Sequence, residues 1–198
     1  MKSIERDYAD YVPHPRFGRG PRFTGLDPDP MKAWVCLSWW CTVPSDTAND
    51  DSPPEHGTAI KGTAVVADTS AQAPMTFQFT HYYDIDQVCC DCDRHFIFFA
   101  EEQRYWYETL KFYGGVNCVR CVQCRKKRQH TDHARVKYAT LLSMGAPTSE
   151  QVVELIESGI ELLDAGVAKQ RCRDRLRSLF RQLPEPSRST ELERKLWP

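Results

Sequence analysis

The period of the apolar positions changes near the middle of the chain. Residues 62–66, and again 75–83 with Phe77, Phe79 and His81 alternating, have the β-branched and aromatic content of short strands, and residues 95–99 predict a further one. Phe99, Gln103, Trp106 and Leu110 then fall at helical spacing, so 100–110 reads as a helix.

Helical patterning dominates from there on. Residues 125–143 continue it until Gly145, Ala146 and Pro147 interrupt. The next helix opens with Thr148, Ser149, Glu150 and Gln151, a capping box in which the threonine hydroxyl and the glutamine amide each satisfy an amide hydrogen with no intrahelical partner. Val152, Ile156, Ile160 and Leu163 form its apolar stripe, and Gly166 is its expected stop. Over 167–183 the pattern puts Cys172, Leu176, Leu179 and Leu183 on one side and Lys169, Arg173, Arg177 and Arg181 on another, before Pro184 ends the helix. Residues 184–198 read as a loose tail in which Leu196 and Trp197 could dock.

Ahead of the strands the chain is irregular. Prolines and glycines over 11–22 exclude a helix or a central strand, so this arm should run extended over another element. Residues 33–43, with Trp34, Trp39 and Trp40, suit a short strand or buried turn, and the Ser, Asp, Asn and Pro content of 44–58 reads as a mobile loop. Strands before helices make the fold class α+β, with about three helices at the C-terminal side. The same pattern divides the chain into an extended and β-rich segment at 1–83, a cysteine-bearing module at 84–128, a helical domain at 129–183 and a tail at 184–198.

Composition narrows the class. With 198 residues, 41% of them hydrophobic, the chain can bury a core. The first ten residues are charged where an export signal needs an apolar run, and no stretch reaches the roughly 18 apolar residues of a membrane span, so the expected location is the cytoplasm. Nine cysteines in such a chain point to metal binding or buried thiols rather than a disulfide framework. The net charge of −1 hides an asymmetry: residues 1–100 hold 8 Lys/Arg and 14 Asp/Glu (−6), whereas 101–198 hold 18 and 13 (+5). Either the halves attract each other, or a basic face is kept for a partner.

Cys89 and Cys92 form one Cys-x-x-Cys pair. A second is supplied near 118–124, where Cys118 with Cys121 has the same spacing as Cys121 with Cys124, so its register stays open on spacing alone. A two-residue spacing forms a tight knuckle that brings both sulfurs to one tetrahedral centre at about 2.3 Å, and two pairs together indicate one zinc ion. Four protein thiolates leave no position for a reacting water, which makes such a zinc structural. Arg94, Arg120, Arg125 and Lys126 are placed to offset the site's excess negative charge. Reduced core cysteines or a dithiol redox site are the competing readings.

Cys89, Asp91, Cys92, Phe96, Phe98, Glu102, Gln103, Tyr105, Trp106, Arg120, Cys121, Cys124 and Arg125 together carry a resemblance. The stretch 89–125 resembles the bacterial "probable zinc-ribbon" family with a treble-clef zinc site, a family with no established activity. The resemblance implies a small zinc-ribbon or treble-clef core and the ligand set Cys89, Cys92, Cys121 and Cys124, with Cys90 and Cys118 as bystanders or substitutes, Cys118 for Cys124 in particular. The family's glycine after the first pair is Asp93 here, and its proline inside the second pair is Val122. The arm at 11–16 and the helical C-terminus also look like that family.

For function, the sequence contains no phosphate-cradling glycine loop, nucleophile elbow or framed pair of catalytic carboxylates. The expectation is a non-enzymatic protein whose zinc stabilises a macromolecule-binding surface, with no membrane and no small-molecule cofactor involved. Nucleic acid could be held by Arg125, Lys126, Lys127 and Arg128 and by Lys169, Arg173, Arg177 and Arg181. A protein partner could use Tyr105, Trp106, Tyr107, Phe112 and Tyr113. The alternatives are a zinc-framed nuclease using His130 and His133, with His95 also in view, and a rubredoxin-like iron carrier on the same cysteines. His14, Cys36 and Cys41 read as structural.

Overall fold

A computed structural model describes residues 7–28, 41–42, 57–75 and 78–197. Most of 33–43 and of the loop expected at 44–58, together with Phe77 and Cys36, lies outside the described residues. The chain forms two compact units, Met1–Arg125 and Lys126–Pro198.

The first unit contains β1 (Cys41–Thr42), β2 (Gly57–Ala59), β3 (Val65–Val66), β4 (His81–Tyr82), β5 (Ile85–Val88) and β6 (His95–Phe98). One sheet has the order β1-β2-β5-β6, parallel at β1–β2 and antiparallel elsewhere, while β3 and β4 form a separate antiparallel pair. The strands are shorter than their sequence pattern suggests, for local reasons. Gly62 turns the chain at φ +77°, which leaves only Val65 and Val66 of the strand expected over 62–66. Ahead of β4, the Gln72 side chain takes the place of a neighbouring strand: its amide donates to the Phe79 carbonyl at 2.6 Å and its oxygen accepts the Phe79 N–H at 2.9 Å. Conversely, residues 57 and 58 are strand rather than loop. Gly57 is what lets β2 approach β5, because a Cβ there would lie 2.5 Å from Gln87 and 2.6 Å from Ile85 side-chain atoms.

The arm runs over β6 as expected. The Val12 N–H donates to the His95 carbonyl at 2.8 Å, and Tyr11 packs in a buried cluster with Ile97 and Phe99. The helix expected over 100–110 is α1 (Ala100–Arg104), continued by a wider π-helical turn at Tyr105–Thr109. Its first amide is capped from a distance: Asp84, 2% exposed, accepts the Ala100 N–H at 2.7 Å and the Arg22 N–H at 2.6 Å. Burial pushes the Asp84 carboxyl up to about 6 despite these donors.

α2 (Val122–Leu142) starts at the end of the first unit, and the second unit adds α3 (Ser149–Asp164), α4 (Gln170–Gln182) and α5 (Thr190–Leu196). The capping box forms, with the Gln151 N–H donating to Thr148 at 3.3 Å and the Thr148 N–H to the Gln151 side chain at 2.9 Å. Gly166, at φ +70°, closes α3 by donating to the Leu163 carbonyl while Val167 donates to that of Leu162.

The loose tail is a correction. Ser189 caps α5, and Leu192 and Leu196 are buried in one core with Ile156, Ile160, Leu176, Phe180 and Leu183, which makes four helices rather than about three. Two leucines four apart on a seven-residue helix are enough to seat it once a preformed apolar groove receives them.

Candidate metal centre

The β5–β6 hairpin makes the first knuckle. The Cys89 N–H donates to the Arg94 carbonyl at 3.0 Å and the Asp93 N–H to the Cys89 carbonyl at 2.9 Å, with Asp93 left-handed at φ 56°. Aspartate occupies that region more readily than most residues, so the knuckle closes without the family's glycine. The second knuckle leads into α2: Cys121 precedes the helix, Cys124 lies in its first turn, and the Arg125 N–H donates to the Cys121 carbonyl at 2.9 Å. Two links join the knuckles, the Cys90 N–H to the Val119 carbonyl at 3.0 Å and the Arg120 guanidinium to Asp91 at 2.8 Å.

These knuckles bring the sulfurs of Cys89, Cys92, Cys121 and Cys124 within 4.8 Å of one another. A tetrahedral ion with bonds of about 2.3 Å sets its sulfurs roughly 3.8 Å apart, and Cys92 and Cys121 stand at 4.0 Å. Cys89, Cys90, Cys92, Cys118, Cys121, Cys124 and Cys172 are free of disulfides. Burial opposes ionisation of Cys89, but the amides of Cys121, Asp91 and Cys92 outweigh it and bring the thiol down to about 7, whereas burial and the neighbouring thiols push Cys124 up, so the four sulfurs do not all ionise readily without a cation between them. The donor set and its spacing fit a tetrathiolate-bound ion.

Cys118 stands apart from this group. It is 1% exposed, its thiol donates to the Arg120 carbonyl at 3.3 Å, and burial pushes it up to about 12, so it is a core side chain and not a substitute ligand. Cys90 is exposed, with its thiol donating to the Asp91 carboxylate at 3.5 Å.

Residues 83–133 match the family model described as "Probable treble clef domain". That match and the four converging cysteines support a treble-clef zinc-binding module in this quarter of the chain. Comparisons with curated proteins and with solved structures found no match to the chain. Within the treble clef, the residues that carried the resemblance have visible tasks. Phe96 and Phe98 share a buried cluster with Cys89, Cys118 and Cys121. Gln103, 5% exposed, donates its amide to the carbonyls of Tyr83 and Phe98. Glu102 pairs with Arg125 at 2.7 Å, and the same guanidinium lies 5.1 Å from the Trp106 ring centre.

That pairing settles the position of Arg125, which is committed to α1 rather than presented to solvent. Lys126, Lys127 and Arg128 are exposed on α2, with Arg128 3.8 Å from Asp132. On α4, Arg177 donates to the Leu196 carbonyl at 2.9 Å and sits with Arg181 over the Trp197 ring, at 5.3 and 5.7 Å. Arg173 is half-buried, and Lys169 is exposed at the start of the helix. Arg177 and Arg181 therefore line the seam between α4 and α5, and among the described residues the Nε of half-buried Arg173 has no hydrogen-bond partner. The exposed arginines of α4 without an ion pair or ring contact among the described residues are Arg171 and Arg175, four residues apart.

His130 and His133 line an open groove of about 630 Å³ with Lys126, Gln129, Asp132 and Val136. His130 lies 3.8 Å from Glu161, and among the described residues the four cysteines are the one group of three or more potential ligands close enough to hold an ion. His95 is elsewhere, exposed on β6 with its Nδ1 3.0 Å from the buried carboxylate of Asp86, which also accepts from the Tyr11 hydroxyl at 2.9 Å. His14 stacks on Phe17 and lies 3.8 Å from Glu102. No described helix is long and apolar enough to cross a membrane.

Proposed function

We propose that the chain is a non-enzymatic binding protein in which one structural zinc ion, held by Cys89, Cys92, Cys121 and Cys124, fixes a surface for a macromolecule. The observation that carries this is the convergence of four sulfurs within 4.8 Å, which fills every position of a tetrahedral ion from the protein and reserves none for substrate. Zinc suits four thiolates followed closely by cationic side chains, and reduced cysteines suit the cytoplasm.

Surfaces of two kinds support a macromolecular ligand. One is the segment after the π-helical turn, where Lys111 takes φ 57° and Phe112, Tyr113 and Val116 stand 38%, 65% and 40% exposed. The other is the set of cations on α2 and α4 that have no acidic partner. Metal analysis of purified protein should return one zinc per chain and no colour; a red protein containing iron would replace the binding reading with electron transfer. Magnesium-dependent cleavage of nucleic acid that disappears in His130→Ala would replace it with a nuclease.

A further inference from the structure

We propose that the solvent face of α4 binds the phosphodiester backbone of a nucleic acid, with Arg171 and Arg175 as the phosphate-contacting side chains. This rests on the macromolecule-binding reading and names its ligand.

Four of the helix's five arginines fall into two groups, while the fifth, Arg173, is half-buried with its Nε unpartnered among the described residues. Leu176 and Phe180 are buried, and Cys172 and Leu179 pack beside them. Arg177 and Arg181 flank that face and spend their guanidinia on Leu196 and Trp197. The one acidic residue of α4, Asp174, is 3.6 Å from Arg177. Arg171, Arg175, Ser178 and Gln182 form a stripe flanking the other edge of that face, all exposed. Among the described residues, neither Arg171 nor Arg175 has an ion pair. Like charges one turn apart repel each other, so this stripe lowers the helix's own stability and gains when an external anion lies across it.

The stripe's chemistry selects the anion. Two guanidinium forks about 6 Å apart along the helix axis can each take a phosphate in bidentate fashion. Ser178 and Gln182 add neutral hydrogen-bonding groups and no apolar anchor. An interfacial helix needs an apolar face to enter a bilayer, and a protein hot spot needs a buried aromatic or aliphatic centre; this stripe offers neither. Contacts of this kind follow the backbone and are tolerant of base sequence.

The test uses the zinc-loaded full chain and a labelled mixed-sequence oligonucleotide, single-stranded and duplex, followed by fluorescence anisotropy from about 50 to about 200 mM salt. Wild type should bind, with affinity falling linearly in log–log form. Arg171→Gln with Arg175→Gln should weaken binding at least tenfold at low salt and flatten the slope by about 1.4 for a single strand. Both side chains are exposed, so far-UV circular dichroism of the double variant should match wild type. Binding with an unchanged slope in the double variant would overturn the α4 assignment while leaving a macromolecular ligand in place. Absence of binding at low salt would overturn it too, as would capture by phosphatidylserine vesicles without any by nucleic acid; neither result touches the zinc-dependent surface of the first unit.

Discussion

The two units of this chain solve the same problem by different chemistry. The first, up to Arg125, has strands of two to four residues, and the core around its knuckles includes Cys89, Cys118 and Cys121 themselves. Strands this short bury little apolar surface between them, so a metal held by the four cysteines is expected to add stability that the sheet does not supply. The second unit has no described metal cluster and closes α3 at both ends, with Thr148 and Gln151 at the start and Gly166 at the stop. Its core is aliphatic: Ile156, Ile160, Leu176, Leu183, Leu192 and Leu196 around Phe180. The contrast teaches that fold stability resides in ligand chemistry in one half and in helix packing in the other.

Removing the ion should separate the halves most strongly. Metal binding at a site of this kind is worth on the order of 10 kcal/mol of folding free energy. Cys121→Ser, or strong chelation, should therefore abolish metal content and collapse the Trp106 indole resonance in NMR spectra, while the Trp197 resonance and most of the helical circular dichroism persist. Simultaneous loss of both tryptophan signals would show that the second unit also depends on the metal.

The converse change is smaller. Leu196 is fully buried, and truncation of a buried leucine to alanine removes about 2–5 kcal/mol. Leu196→Ala should lower the unfolding free energy of the helical transition by that amount, read as a lower denaturant midpoint at unchanged slope, and leave zinc stoichiometry at wild-type level.

What the sequence made legible follows the same division. Helix ends in the second unit could be read because their signals are local: a capping box needs four consecutive residues, and a C-terminal stop needs one glycine. Motif spacing shows two cysteine pairs but leaves the register of the second open, and it is the family resemblance that implies Cys121 with Cys124. The strands were overestimated, since their ends are fixed by partners distant in sequence, such as Gln72 binding the Phe79 backbone and Gly57 fitting beside Ile85 and Gln87. The surroundings of the basic row were hidden for a related reason. Arg173, Arg177 and Arg181 share a row on a helical wheel, but only the docking of α5 reveals that Arg177 and Arg181 pack on Leu196 and Trp197.

A third test is confined to the first unit and concerns pH. Asp84 is held by burial at about 6, above its ordinary value of 3.8. A raised folded-state value favours the protonated form, so this contribution to stability is complete below about 4 and is lost as pH rises through about 6. From pH 5 to pH 7 the loss is about 1 kcal/mol. The stability of wild type relative to Asp84→Asn should therefore decline across that interval, and a ratio that instead rises with pH would mean the donors from Ala100 and Arg22 outweigh burial.

The smallest expected effect probes the knuckle that closes the metal centre. Asp93 is left-handed at φ 56°, a region where a side chain with a Cβ is disfavoured and glycine is not. Glycine at this position would relieve that strain but would also widen the conformational freedom lost on folding, so the two terms oppose each other. Asp93→Gly should lie within about 0.5 kcal/mol of wild type, whereas Asp93→Val, whose branched side chain is least tolerant of positive φ, should cost about 1–2 kcal/mol. Because the strain is felt only when the knuckle is closed, the cost should appear as weakened metal affinity in chelator competition, with the helical transition unmoved. A valine variant that retains zinc as tightly as wild type would show that the hairpin does not need this turn to present Cys89 and Cys92 together.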